Sequence, residues 1–291
     1  MFPVSTEEKD FPIAFSILLY KDVDQAERLL RAIYRPSNIY CFHVDSSAEK
    51  VVHDSIQAIS NCFDNVFVVS KKENVVYAGF SRLQADINCM KDLNTGNKSW
   101  KYFINLPSQQ FPLKTNFEIV KILKIYNGSN DIEGITEKRR MMRKRYINKT
   151  SPPYGVQIVK GSAYGIFSRE MVNFILTDKK AKGILEWSKL IPSPDEYYWA
   201  ILNHNKKLGA PGRYWGDPNK KPWLATYASW VGDLSELVSR KELFANKFYL
   251  DYQPYTIDCL EEWLLNKSAN NLPFETFYYK QLPFVNNTQR S

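Results

Sequence analysis

The sequence contains no uninterrupted apolar run of about 18 residues, the length a membrane-crossing helix requires, so no segment reads as a span. No cleavable signal peptide is legible after Met1, and taken alone these absences imply a soluble, unexported chain with no anchor. Cysteine is scarce. Only Cys41, Cys62, Cys89 and Cys259 occur, none with the C-x-x-C spacing of a structural zinc site, which leaves disulfides or buried thiols. Internal repeats and low-complexity stretches are absent, which excludes repeat architectures. Net charge is +8, which suits nucleic acid, an anionic membrane or a phosphorylated small molecule. Yet no broad basic stripe or nucleic-acid module is present. The one dense basic run is Lys138-Arg-Arg140-Met-Met-Arg143-Lys144-Arg145, which is otherwise a solvated loop or helix face.

Against these absences stand other signals. Sequons at Asn97, Asn127, Asn148, Asn266 and Asn286 outnumber the roughly two that chance gives, and favour a secretory lumen. Aromatic residues reach 14%, which suits a protein handling bases or sugar faces and equally a plain aromatic core. The length, 291 residues, allows one large or two small domains. No linker divides the chain, so residues 11–291 read as one domain behind a polar start, 1–10, expected to be disordered.

The first half alternates strand and helix. Apolar runs at Ile13–Tyr20, Ile39–Val44, Val66–Val69 and Tyr102–Leu106 predict buried strands. Helical spacing predicts Asp24–Tyr34, Ser47–Ser60 and Ser81–Leu93. Thr115-x-x-Glu118 is a capping box that opens a helix over Phe117–Tyr126. The expected class is α/β, with a mostly parallel sheet flanked by helices. Ligands of such sheets bind at the carboxyl ends of strands, where Asp45 and Asn105–Ser108 lie. Beyond that, 127–156 and 205–223 read as long loops, with helices at Arg169–Leu176, from Glu196, and over Tyr255–Leu265. Residues Gly232–Phe248 read as helix then turn.

One acidic pair stands out, in Ile191-Pro-Ser-Pro-Asp-Glu-Tyr-Tyr-Trp199. A carboxylate at a proline corner is held by backbone, as a general base requires. Pro-Asp-Glu is equally an ordinary helix start, where acids complement the helix dipole.

Several segments occur in collinear order: Phe11-Pro-Ile-Ala-Phe-Ser16, Arg28-Leu-Leu-Arg-Ala-Ile-Tyr34, Cys41-Phe-His-Val-Asp45, Cys62-Phe-Asp-Asn-Val66, Val75-Val-Tyr-Ala78 and Ala85-Asp-Ile-Asn-Cys-Met-Lys-Asp-Leu93. They continue with Phe111-Pro-Leu-Lys-Thr-Asn116, Gly161-Ser-Ala-Tyr164, Ser193-Pro-Asp-Glu196 and Leu243-Phe-Ala-Asn-Lys-Phe248. The set resembles the core-2/I-branching β-1,6-N-acetylglucosaminyltransferases over about residues 11–265. The resemblance implies a GT-A-type glycosyltransferase fold, with a nucleotide-sugar half over about 11–126 and an acceptor half over about 127–265. It implies transfer of N-acetylglucosamine from UDP-GlcNAc to a 6-hydroxyl of an O-glycan, with inversion and without a metal or other cofactor. Its other implication is a type II Golgi membrane protein, whose anchor this sequence does not show.

Residue by residue, the resemblance puts the general base on Glu196 and donor contacts on Leu18, Asp45, Tyr77 and Lys247. On the acceptor side it puts Glu133, Lys138 and Arg140, with Tyr214 and Trp215 as an aromatic platform, and it pairs Cys41 with Cys89 in a disulfide. Cys62 and Cys259 match cysteines whose partners lie in an upstream stem. Asp22-Val-Asp24 matches a metal-binding Asp-x-Asp by letters, but its place before an amphipathic run makes it a helix cap. Asp45 and Lys247 have bland alternatives as a cap and a surface lysine. Two departures stand out. Leu224 occupies the position of a diphosphate arginine, with Lys220, Lys221 or Arg240 as substitutes, and Pro107-Ser-Gln-Gln110 replaces another family segment. They leave two rivals to the transferase: a catalytically impaired, glycan-binding relative, and a transferase using another nucleotide sugar such as UDP-xylose.

Overall fold

The computed structural model describes residues 4–96, 98–137, 151–228, 234–249, 254–270 and 273–286. The chain enters through α1 (Thr6–Lys9), then β1 (Ile13–Leu19), α2 (Val23–Ile33), β2 (Ile39–Val44), α3 (Lys50–Asn61) and β3 (Val66–Val68). It continues through α4 (Phe80–Thr95), β4 (Tyr102–Pro107), β5 (Phe111–Pro112), α5 (Asn116–Tyr126) and β6 (Ile166–Ser168). Next come α6 (Arg169–Thr177), α7 (Lys179–Ser188), α8 (Asp195–His204), β7 (Thr226–Ala228), α9 (Leu234–Ser239) and β8 (Phe244–Asn246), before α10 (Pro254–Ala269), α11 (Phe277–Lys280) and α12 (Pro283–Asn286).

Five strands form the central sheet in the order β3-β2-β1-β4-β6. The first four are parallel, and β6 runs antiparallel to β4. This is the α/β class expected from the alternating elements. Every residue of β1 is buried, because helices cover both faces of the sheet. Phe15, Ile17 and Leu19 pack on one side with Leu29, Leu30 and Ile33 of α2 and with Ile119 and Leu123 of α5. Ala14 and Cys41 pack on the other with Leu83, Ile87 and Met90 of α4 and with Ile201 of α8. A second sheet, β5-β8-β7, stands beside the first.

The polar start differs from its expectation: residues 4–10 are ordered. Ser5 and Glu8 form a reciprocal capping box, and Glu8 is buried on Arg35 at 3.0 Å and on Asn116 at 2.8 Å. Helix α7, with Asp178 as its N-cap, was also not foreseen. Asp22 holds the N-cap position of α2, but in a left-handed conformation and without a side-chain cap bond.

Candidate active site

The carboxyl ends of the parallel strands gather the donor-side residues. Leu18 is buried at the end of β1, and its carbonyl accepts from the Ser108 N–H at 2.9 Å. Asp45 follows β2 and is also buried. Its Oδ1 accepts from the Ser47 N–H and hydroxyl, both at 2.8 Å, and Oδ2 accepts from the Val75 N–H at 3.0 Å. It therefore closes a turn and tethers the 70–79 loop; the N-cap of α3 is Glu49. His43 reinforces the tether, its Nε2 accepting from the Glu73 N–H at 3.0 Å. That bond needs an unprotonated Nε2, and burial lowers the His43 pKa, with Asp86 opposing the shift. Tyr77 sits near the tip of this loop with 91% of its surface exposed, so its ring is an open platform at the rim.

Glu196 lies in the first turn of α8. The corner before it is tight, with Ser193 in the left-handed region at φ 51°. The Ser193 N–H donates to the Ala78 carbonyl at 2.8 Å, which joins the corner to the loop that carries Tyr77. The Gly161 N–H donates to the Glu196 carbonyl at 2.6 Å, and Lys160 Nζ lies 3.1 Å from Glu196 Oε2. The sequence reading missed Lys160. Its one signal was adjacency to Gly161-Ser-Ala-Tyr164. Gly161 admits no side chain, since a Cβ there would meet the Glu133 carbonyl oxygen at 2.4 Å. Glu133 is thereby close to the base's support.

A buried polar network lies under this corner. Asp86 accepts from Ser16 Oγ at 2.9 Å, from Asn105 Nδ2 at 2.8 Å and from Arg82 at 2.6 Å. Asn105 also binds the Ala163 carbonyl and the Gly165 N–H, both at 2.8 Å, which fixes the loop after Gly161. Burial raises the pKa of Asp195, the charge of Arg82 opposes this, and the adjacent Glu196 adds to it. The two consecutive carboxylates thus stand in different surroundings: Asp195 is buried within the field of Arg82, whose ion pair is with Asp86, and Glu196 pairs with Lys160.

Lys247 follows β8 and is half-buried. Its neighbour Phe248 donates to the Gln109 carbonyl at 2.9 Å, which sets the lysine's backbone beside the turn after β4. Leu224 is buried, and its N–H donates to Asp131 at 3.0 Å. Of the substitutes for the missing arginine, Lys221 is excluded. It pairs with Asp131 at 2.8 Å, with both side chains fully buried. Arg240 is engaged with Glu236 and stacks over Tyr227, and Lys220 is exposed on the turn Pro218–Lys220.

The acceptor platform needs correcting. Tyr214 is core, only 5% exposed, and edge-on to His204. Its N–H donates to the Asn203 carbonyl, at the far end of α8 from Glu196; a ten-residue helix spans about 15 Å. The Arg213 guanidinium lies 3.4 Å from the Trp215 ring centroid and occupies a face of that ring. Lys138 and Arg140 lie outside the described residues. The implied disulfide is also absent. Cys41 and Cys89 are free thiols in the apolar core, where Cys89 Sγ donates to the Cys41 carbonyl at 3.8 Å and burial pushes both thiols up. Among the described residues, no three His, Cys, Asp or Glu side chains converge as metal ligands would.

Comparison with known proteins bears on the family. The model of the family "Core-2/I-Branching enzyme" matches residues 13–240. The chain is 37% identical over 314 residues to the human beta-1,3-galactosyl-O-glycosyl-glycoprotein beta-1,6-N-acetylglucosaminyltransferase, covering 93% of this chain and 73% of that protein. It is 39% identical over 307 residues to the Mus musculus N-acetyllactosaminide beta-1,6-N-acetylglucosaminyl-transferase, covering 92% and 76%. Among solved structures, the galactosyltransferase LgtC with donor and acceptor sugar analogs aligns over 93% of this chain and 99% of its own, at 7% identity and a TM-score of 0.43. So slight a likeness bears on no residue. The identities and the span of the family match show that this chain belongs to the core-2/I-branching enzyme family.

Proposed function

We propose that the chain transfers N-acetylglucosamine from UDP-GlcNAc to a 6-hydroxyl of an O-glycan, with inversion and without a metal, and that Glu196 is the general base. The observation that carries this reading is the mounting of Glu196. It stands on a helix start, is gripped by Lys160 and Gly161, and is joined through Ser193 and Ala78 to the loop tethered by Asp45. A base whose corner is hydrogen-bonded to the donor loop keeps its distance from a donor bound there.

In this mechanism the acceptor oxygen attacks the anomeric carbon while Glu196 takes its proton. The bond to the diphosphate breaks on the opposite side, and UDP leaves with the electron pair. Lys247 supplies positive charge to the leaving diphosphate, and Tyr77 and Asp45 hold the nucleoside. Glu133 meets the acceptor glycan.

The experiment is a transfer assay with UDP-GlcNAc and O-glycan acceptors in EDTA. Wild type forms product, and Glu196→Gln lowers kcat by roughly 10²–10⁴-fold while UDP still binds. Near wild-type turnover in that variant sinks the base assignment. One observation favours a second reading, an impaired glycan-binding relative: Leu224 stands where an arginine was expected, and Lys221 is locked onto Asp131. Wild type that binds glycan but forms no product with any nucleotide sugar, UDP-xylose included, would establish that reading instead.

A further inference from the structure

We propose that Lys160 is a positioning residue for the acceptor side of the reaction, holding one carboxylate oxygen of Glu196 so that the other faces the attacking hydroxyl. The inference rests on Glu196 being the base.

Lys160 is not a loose surface lysine. Its N–H and carbonyl both pair with Ile135, at 3.0 and 2.7 Å, in an isolated antiparallel bridge. The next residue, Gly161, holds the Glu196 carbonyl, while Lys160 Nζ reaches Oε2. Two consecutive residues therefore fix Glu196 at its backbone and at its carboxylate. The side chains of Lys160 and Glu196 are 26% and 39% exposed. A pair so open adds little to stability, so its main consequence is geometric: Oε2 is occupied, while among the described residues nothing holds Oε1.

The reaction's own geometry assigns the side. In an inverting displacement the attacking oxygen and the leaving diphosphate lie on opposite faces of the anomeric carbon. A cation paired with the base therefore stands on the acceptor face, and it does not replace the arginine missing at Leu224. The Ile135 bridge leads to the same conclusion, because it joins Lys160 to the segment that carries Glu133. The support of the base and an acceptor-side candidate thus share one short stretch of backbone.

The test measures steady-state kinetics of Lys160→Met, Lys160→Arg, Glu196→Gln and the Lys160→Met/Glu196→Gln double variant, with UDP binding as the check on folding. Lys160→Met is expected to lower kcat about tenfold with the donor KM unchanged. Lys160→Arg is expected to recover most of that loss, and Lys160→Met to cost nothing further in the Glu196→Gln background. Unchanged kcat in Lys160→Met overturns the proposal. So does a raised donor KM, which would move the cation to the diphosphate, and so does a full additional loss in the double variant. If Lys160→Met fails to bind UDP, Lys160→Arg decides: full loss of kcat with UDP binding intact overturns the proposal, and retained kcat supports it. If Glu196→Gln turns over normally, the base assignment falls and this inference with it. If Glu196→Gln is inactive while Lys160→Met is normal, only this inference falls.

Discussion

At the scale of the residue, the Lys221–Asp131 pair shows what a sequence conceals. Both side chains are fully buried, 90 positions apart, and the Lys221 ammonium also lies 4.0 Å from the Phe284 ring centroid. Burial lowers the Lys221 pKa, and Asp131 partly restores it. Lys221→Met leaves the Asp131 carboxylate buried with, among the described residues, only the Leu224 N–H and the Tyr126 hydroxyl as donors. It is expected to cost about 3–5 kcal/mol, read from the urea unfolding midpoint. A loss below about 1 kcal/mol would mean that water reaches Asp131. In the sequence, Lys221 was simply one lysine near a missing arginine, because nothing local marks a cation as buried. Tyr214 misled in the same way, since an aromatic that covers a sugar and one that fills a core read alike. The places of Glu196, at a helix start, and of Asp45, at a strand end, were legible because proline corners and strand ends are local signals. Lys160 was not, because its partners Ile135 and Glu196 come from elsewhere in the chain.

At the scale of the element, capping chemistry separates what was readable from what was not. The box at Thr115 was read from sequence and is present: Thr115 accepts from the Glu118 N–H, and Glu118 accepts from the Thr115 N–H at 2.9 Å. Glu118 also pairs with Lys267 of α10 at 2.7 Å, so this cap joins two helices. Thr115→Ala is expected to destabilise the fold by about 1 kcal/mol and Thr115→Ser to restore it. Chemical denaturation of the two variants checks this, and equal losses in both would assign the effect to the methyl group. The same signal stood at Ser5-x-x-Glu8 and went unread, because the residues it opens, Thr6–Lys9, include no apolar side chain; α1 is held instead by the contacts of Glu8 with Arg35 and Asn116. The buried parallel strands were legible from their apolar runs. The short strands β6 and β8 were not, since three residues carry no period and their pairing partners, Tyr102–Ile104 for β6 and Phe111, Pro112 and Thr226–Ala228 for β8, lie outside any local window.

At the scale of the whole molecule, acid acts on the fold through His204 at the end of α8 opposite Glu196. Its Nε2 lies 3.3 Å from the Ile132 carbonyl, and its Nδ1 is buried with no hydrogen-bond partner among the described residues. Burial, reinforced by the charge of Lys221, pushes the His204 pKa down to about 3 from 6.5. Between these two values the unfolded chain binds a proton that the folded chain refuses. His204 therefore contributes stability that is fully present above about pH 6.5 and is lost as the pH falls toward about 3. Burial lowers the His43 pKa as well, so it acts in the same direction. The net charge of +8 grows as carboxylates protonate, which adds general repulsion to both histidine effects. Replacing His204 separates its effect from the rest. Urea midpoints between pH 7 and 4 are expected to fall more steeply for wild type than for His204→Gln, with a difference in slope of up to about 1.4 kcal/mol per pH unit. The slope is the informative quantity, because the glutamine itself changes stability at every pH alike. Coincident slopes would show that His204 is protonated as readily in the folded chain as in the unfolded one. In that case the acid sensitivity belongs to the carboxylates and to His43, whose protonation breaks the Glu73 contact and leaves the loop that carries Tyr77 held by Asp45 without it.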